Sequence, residues 1–303
     1  MSKRNYEIVH QGSRAVIVTG FACLMLVLLL SGNILLYIAP HLILYAWLAV
    51  IFLVAAAGFQ SYLFIAAVKG SAVDCACDGD HGHDRAPQLY SVRRSVFVFV
   101  LFAIPLLLGT LLPNSALAGS LAQNKGMNLG ALPTGRGAAG ADLVEVDGNQ
   151  DPALKQLFKT DVYNRDYAKL GMLLYGQDVI EMKDEWFIEK QQALNLFADS
   201  FKGKTIRITG FVYREEGLSD SQFIVGRMAM THCIADISPY GFIVDSPDAA
   251  QYADDTWITV TGTIDQTDYH GQKVVKIVIG SAEPASPAKI PYVYPDWNFA
   301  SKL

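Results

Sequence analysis

Two thiols and two imidazoles fall within nine residues in the run Asp74-Cys75-Ala76-Cys77-Asp78-Gly79-Asp80-His81-Gly82-His83-Asp84. A Cys-x-Cys pair and a His-x-His pair joined by a short acidic hinge can wrap one tetrahedral ion, with the Asp residues favouring cation approach and orienting the imidazoles. Mixed thiolate and imidazole ligands suit zinc best, and Cu(I), Ni(II) and Co(II) are compatible by ligand type. A reducing cytosol would keep both thiols available. The spacing is tighter than in folded zinc fingers. The expectation is therefore a mobile chelating loop of Cys75, Cys77, His81 and His83 that loads, buffers or senses metal; the alternative is a solvated acidic linker.

A second concentration of chemistry lies between Arg227 and Asp245, RMAMTHCIADISPYGFIVD. His232 and Cys233 are adjacent, and Asp236 follows within a turn. Neighbours on an extended strand face apart, so these groups can share a metal only if the chain turns, as Ser238-Pro239-Tyr240-Gly241 makes plausible. The metal reading takes His232, Cys233 and Asp236 as ligands, with Arg227 a structural or anion-binding partner. The other reading makes Cys233 a small buried hydrophobe and Asp236 the cap of a turn. A cysteine nucleophile with His232 or His270 as base would need a thiolate beside an oriented imidazole. No Ser-centred elbow, zinc-protease helix motif or P-loop accompanies it, so no enzymatic activity is expected.

The elements that must position these groups divide into an apolar and a polar half. From Ala15 to Val68 there is no Asp, Glu, Lys or Arg. One crossing takes about 20 residues, so this run fits two, expected at 15–38 and 42–68 with a tight turn at Pro40. A third apolar run, 95–112, contains Pro105 and Gly109, which membrane helices tolerate. Lys3, Arg4 and Arg14 precede the first helix, and Lys69, Arg85, Arg93 and Arg94 fall between the second and third. The positive-inside rule then places residues 1–14 and the 69–94 loop in the cytoplasm and everything after the third span outside it. Arg93-Arg94, the apolar run and Ser115-Ala116-Leu117-Ala118 also imitate a signal sequence, with cleavage after Ala118 as the alternative to retention.

Residues 113–150 are rich in Gly and Ala and read as a flexible tether. Residues 151–303 read as a globular α+β domain. Helical segments are expected near 151–171 and 186–201, followed by strands at 204–213, 222–230, 240–245, 256–265 and 273–281. Asp268-Tyr269-His270-Gly271 would close a hairpin, and Gly210 and Gly262 would mark bulges or corners. Tyr292-Val293-Tyr294-Pro295 would pack against the barrel. The expected fold is thus three transmembrane helices followed by an extracytoplasmic, mainly β domain resembling an OB-like barrel, at about 204–281, with flanking helices.

Composition agrees with this division. The chain has 303 residues, 51% of them hydrophobic, and a mean hydropathy of +0.25, too apolar for an ordinary soluble protein. Its net charge of -5 offers no basic surface for nucleic acid. Cysteines at 23, 75, 77 and 233 do not form a disulfide framework.

With these residues in place, most of the chain resembles the YcgQ family of bacterial membrane proteins, which join N-terminal membrane helices to a C-terminal domain of unknown function. The resemblance rests on Arg227 followed by Cys233, Ala235 and Asp236, where His232 stands in place of a first cysteine. That departure keeps ligating capacity and removes a vicinal thiol pair. It extends to Ser31-Gly32-Asn33, Gly203-Lys204, Gly210-Phe211-Val212-Tyr213-Arg214, Trp257 with Gly262, and Pro291-Tyr292-Val293-Tyr294-Pro295. The resemblance implies a multi-span permease partner and, in some bacteria, an association with zinc homeostasis. The function it implies is a membrane-anchored accessory protein of a permease. The alternative is a tethered OB-like module for an extracytoplasmic ligand with no metal role.

Overall fold

The computed structural model describes residues 3–70, 89–111, 123, 125–130 and 151–303, which fall into two compact units, 1–115 and 116–303. The Cys75 to His83 cluster lies outside the described residues.

In the first unit, α1 (Lys3–Leu30), α2 (Ile43–Lys69) and α3 (Leu89–Leu111) pack as an apolar group in which α1 touches both others. Two of the helices, over Ile8–Leu30 and Pro40–Lys69, are long and apolar enough to cross a membrane. Only 17% of either apolar window is buried, so these are not the core helices of a soluble domain. The apolar part of α3, Ser95–Leu111, is shorter. α1 stops at Leu30 instead of Ile38 because Gly32 takes a left-handed conformation (φ 72°) and the Ser31 hydroxyl donates back to the Leu28 carbonyl. Two single 3-10 turns, Asn33–Leu36 and Pro40–Leu42, then carry the chain to α2. The expected tight turn at Pro40 is therefore a longer connection. Small residues let the helices approach closely: a Cβ on Gly20 would meet Leu106, and one on Gly109 would meet Leu24.

The second unit is a mixed seven-stranded sheet with helices packed on it, two strands more than the sequence suggests. Its helices are α4 (Pro152–Leu157), α5 (Arg165–Tyr175), α6 (Phe187–Leu196) and the short α7 (Ala198–Phe201). Its strands are β1 (Val179–Met182), β2 (Thr205–Tyr213), β3 (Gln222–Ala229), β4 (Ser238–Asp245), β5 (Trp257–Tyr269), β6 (Gln272–Pro284) and β7 (Tyr292–Val293). The order is β1-β2-β5-β6-β4-β3-β7, and β2 also pairs with β3. The five strands β2, β5, β6, β4 and β3 therefore close into a ring, with β1 and β7 added in parallel to β2 and β3. β5 and β6 meet in a two-residue turn in which His270 (φ 49°) and Gly271 (φ 77°) are both left-handed, the geometry that matches the strand twist.

The core is continuous from ring to helices. Ile206, Ile208, Val225, Phe242, Val260 and Ile277 from the ring pack in one cluster with Leu170, Phe187, Leu194 and Phe201 from the helices. Phe158 is fully buried and meets the rings of Tyr175, Phe197 and Phe201 edge-on. Gly171 permits this, since a Cβ there would sit 2.8 Å from the Phe158 ring.

Part of the expected tether is anchored. Met127 and Leu129 are buried, and Asn128 bridges to Tyr240 of β4, with its N–H donating to the Pro239 carbonyl and its carbonyl accepting from Gly241. The C-terminal aromatics pack as expected: Tyr292 and Val293 are buried as β7.

Candidate functional site

β3 and β4 pair in register from Gln222↔Asp245 to Ala229↔Ser238, so residues 230–237 form their connection. This connection holds His232, Cys233 and Asp236. Asp236 closes a single 3-10 turn, Ile234–Asp236, from inside. Its carboxylate accepts the N–H groups of Thr231 (3.0 Å), His232 (2.7 Å) and Cys233 (3.2 Å), and the His232 Nδ1 lies 3.2 Å away. The Cys233 side chain accepts in turn from the backbone of Asp236. Lys125 holds the turn from outside, donating to the carbonyls of Ala235 (3.0 Å) and Ile237 (2.6 Å).

The structure thus brings the three residues together and gives Asp236 the capping task. Among the described residues, no three or more His, Cys, Asp and Glu side chains are grouped to hold a metal ion. Burial pushes the Asp236 carboxyl up, but the hydrogen bonds from His232, Cys233 and Thr231 outweigh it and hold it below the ordinary carboxylate range. A depressed carboxyl adds stability above its ordinary range and loses it as pH falls through the lowered value. Asp236→Asn keeps one acceptor oxygen of two and is expected to cost about 1 kcal/mol. Hydrogen exchange of residues 231–236 would show faster opening in the variant and a shallower loss of protection on acidification.

A second feature of β3 is its charged residue. Arg227 is buried, with a side chain only 5% exposed, and its Nη1 lies 2.6 Å from Asp184 Oδ1 on the loop after β1. Its guanidinium carbon stands 5.4 Å from the centre of the Trp257 ring. Its Nε and Nη2 are buried without a hydrogen-bond partner among the described residues. Donors left so cost on the order of 1–3 kcal/mol each, and natural cores seldom keep them without a reason. Arg227 lines a cavity of about 500 Å³ together with Glu181, Lys183, Asp184, Glu185, Arg207 and Trp257.

The other residues behind the family resemblance have plainer tasks. Arg214 donates to the carbonyls of Ala249 and Tyr252, both at 2.6 Å, and pairs with Asp254, so it staples the loop before β5. Lys204 donates to the Tyr175 carbonyl and sits over its ring. Trp257 lies against Phe211, its partner in register. Tyr294 is half-buried, and desolvation, with the charge of Asp184 adding to it, pushes its phenol up to about 12. Arg227 and Trp257 therefore line one cavity with Asp184, which nothing in the sequence singled out.

Comparison with known proteins bears on the same residues. Residues 13–128 match the DUF1980 N-terminal domain, and residues 157–295 match the DUF1980 C-terminal domain. The chain is 27% identical over 271 residues to UPF0703 protein YcgQ of Bacillus subtilis, covering 87% of this chain and 93% of the relative. The chain belongs to the YcgQ family. A second relative, named as a putative two-component membrane permease complex subunit of Streptococcus mutans, is 26% identical over 287 residues. That match covers 93% of this chain and 98% of the relative. The N-terminal match ends at Asn128, the residue that bridges to Tyr240 of β4.

Proposed function

We propose that this chain is a membrane-anchored accessory subunit of a permease, with a non-catalytic β domain that binds a partner or ligand outside the cytoplasm. The observation that carries the reading is the full-length match to a relative named as a subunit of a two-component membrane permease complex, joined to two helices able to cross a bilayer. Three helices are too few for a transporter built from inverted repeats, so the chain assists a multi-span partner. The apolar stretch Ser95–Leu111 is taken as a third crossing at the short limit of about 17 residues. With Lys3, Arg4 and Arg14 in the first half of α1 and Lys69, Arg85, Arg93 and Arg94 running from the end of α2 into the start of α3, the N-terminus is assigned to the cytoplasm and the β domain to the outside.

The ring of β2, β3, β4, β6 and β5 is read as OB-like. Support comes from its order: three consecutive antiparallel strands, a parallel β4–β6 pairing, and β5 returning to β2. Zinc handling by Cys75, Cys77, His81 and His83 rests on their sequence spacing alone. Zinc content of the purified protein before and after all four are changed to alanine tests it, and undiminished zinc rejects that role.

Affinity capture of the crosslinked chain from native membranes is expected to recover one multi-span membrane protein in near-stoichiometric amount. Recovery of no such partner overturns the permease reading. Cys233 is partly exposed, so a membrane-impermeant maleimide applied to intact cells should label it. Labelling only after lysis reverses the assigned orientation.

A further inference from the structure

We propose that the Arg227 cavity binds a carboxylate group, whose two oxygens take the Nε–Nη2 edge of the guanidinium while the rest of the ligand lies against Trp257. The first ground is the arrangement of Arg227 itself. Its Nη1 is engaged by Asp184 at 2.6 Å. What remains is the Nε–Nη2 edge, where two N–H bonds run parallel, and both nitrogens lack a partner among the described residues. That edge is the fork that matches a planar carboxylate in bidentate fashion. Arg214, just past the end of β2, has both terminal nitrogens engaged by the carbonyls of Ala249 and Tyr252 and by Asp254. The contrast separates an arginine that holds the fold from one with recognition capacity to spare.

The second ground is the wall. Lys183, Arg207 and Arg227 line it together with Glu181, Asp184 and Glu185, so the lining carries three positive and three negative side chains. A cavity so balanced accommodates one negative charge on Arg227 and disfavours a dianion such as phosphate, whose second charge would meet the surrounding carboxylates. Trp257 supplies an apolar face, and a cavity of about 500 Å³ is the size that takes small organic molecules or the end of a chain. Asp184 is 61% exposed and Arg227 only 5%, so of this pair the carboxylate meets solvent while the guanidinium is desolvated. The two nitrogens are covered, so the oxyanion reaches them only when the groups over them move.

The source of the carboxylate, a small organic acid or the C-terminus of a polypeptide, is left to the probes. Full-length protein in lipid nanodiscs would be titrated by calorimetry and by tryptophan fluorescence. The probes are benzoate, N-acetyl-L-phenylalanine, its carboxamide, a tripeptide ending in phenylalanine with a free or amidated terminus, and inorganic phosphate. The expected result is saturable binding of the free acids, with each amide and phosphate weaker by about tenfold or more, because a site built to bond the anion leaves its donors unpaired against the neutral analogue. Tighter binding of the tripeptide than of benzoate identifies a chain terminus, and the reverse order identifies a small acid. Arg227→Lys keeps the charge and loses the fork, so it should weaken the acids by about tenfold or more, whereas Lys202→Arg, at an exposed pair with Asp265 outside the cavity lining, should leave them unchanged. Equal affinity for acid and amide, equal affinity for phosphate, retained binding by Arg227→Lys, or absence of saturable binding by every acid overturns the proposal. Should Arg227→Lys fold poorly, the acid and amide comparison on the unaltered chain decides alone. None of these readouts depends on the permease partner.

Discussion

Alanine at Gly210 or Gly262 is expected to force the five-stranded ring apart and to lower the thermal unfolding temperature of the β domain by about 10 °C. A Cβ at Gly210 would sit 2.3 Å from the Gly226 carbonyl oxygen, and one at Gly262 would sit 2.3 Å from the Val278 carbonyl oxygen. Both obstacles are backbone, which no rotamer change removes. Gly210 lies where β2 passes from its pairing with β5 to its pairing with β3, since Phe211 already faces both Trp257 and Gly226. Gly262 lies at the register shift in the β5–β6 ladder. Overpacking of this kind costs about 3 kcal/mol, and a domain of this size loses about 2–4 °C per kcal/mol. Gly203→Ala is the matched control. It is left-handed (φ 85°) with nothing near a built Cβ, so it should cost only about 1 kcal/mol. Near-ultraviolet circular dichroism of the purified protein on heating measures all three. If Gly210→Ala and Gly262→Ala melt with Gly203→Ala, the ring is not closed by these contacts.

Those two glycines were legible in the sequence because each interrupts an alternating run that otherwise reads as strand. The five ring strands were legible for the same reason. The shorter β1 and β7 were not, because Val179–Met182 and Tyr292–Val293 offer too few residues for a period to emerge. The end of α1 was missed because apolar residues continue on both sides of Ser31-Gly32-Asn33, so only the left-handed Gly32 marks the stop. In the candidate site, the sequence put Arg227, Trp257 and Tyr294 in view as separate marks of a family. It could not join Arg227 to Trp257 and Asp184, because those contacts are long-range and Asp184 is an acidic loop residue like any other. Asp236 illustrates the opposite case. Its capping reading and its metal reading fit the same local spacing, and only the three backbone donors converging on its carboxylate distinguish what the loop uses it for.

The second large effect is expected at Gln191, whose polar character gave no hint of burial. α6 carries Glu189, Gln191 and Asn195 into the interior, and each reaches backbone from a different part of the chain. Glu189 Oε1 accepts the N–H of Asp296 at 2.7 Å, and Asn195 Oδ1 accepts that of Val275 at 3.0 Å. Gln191 Nε2 donates to the carbonyls of Asn128 at 3.1 Å and Gly241 at 2.7 Å. This amide therefore adds to the two backbone bonds by which Asn128, in the segment that follows the membrane half in sequence, holds Pro239 and Gly241 of β4. Gln191→Glu replaces the donor with an oxygen facing two carbonyl oxygens. The new carboxyl would either stay charged and unpaired or be held protonated by burial, which already pushes neighbouring Glu189 above its ordinary range. The expected cost is about 3 kcal/mol at neutral pH, concentrated where the amide bonded. Because a raised carboxyl stabilises in its protonated form, the deficit should shrink as pH falls through the raised value of the introduced carboxyl toward the ordinary carboxylate range. Gln191→Leu, which adds no charge, should cost less and show no such pH dependence. Hydrogen exchange resolved by peptide separates local from global loss: residues 125–130 and the start of β4 should lose protection first, while β5 and β6 keep theirs. Uniform loss across the ring would mean that Gln191 supports the core as a whole and does not act as the fastening between β4 and the segment that leads to it.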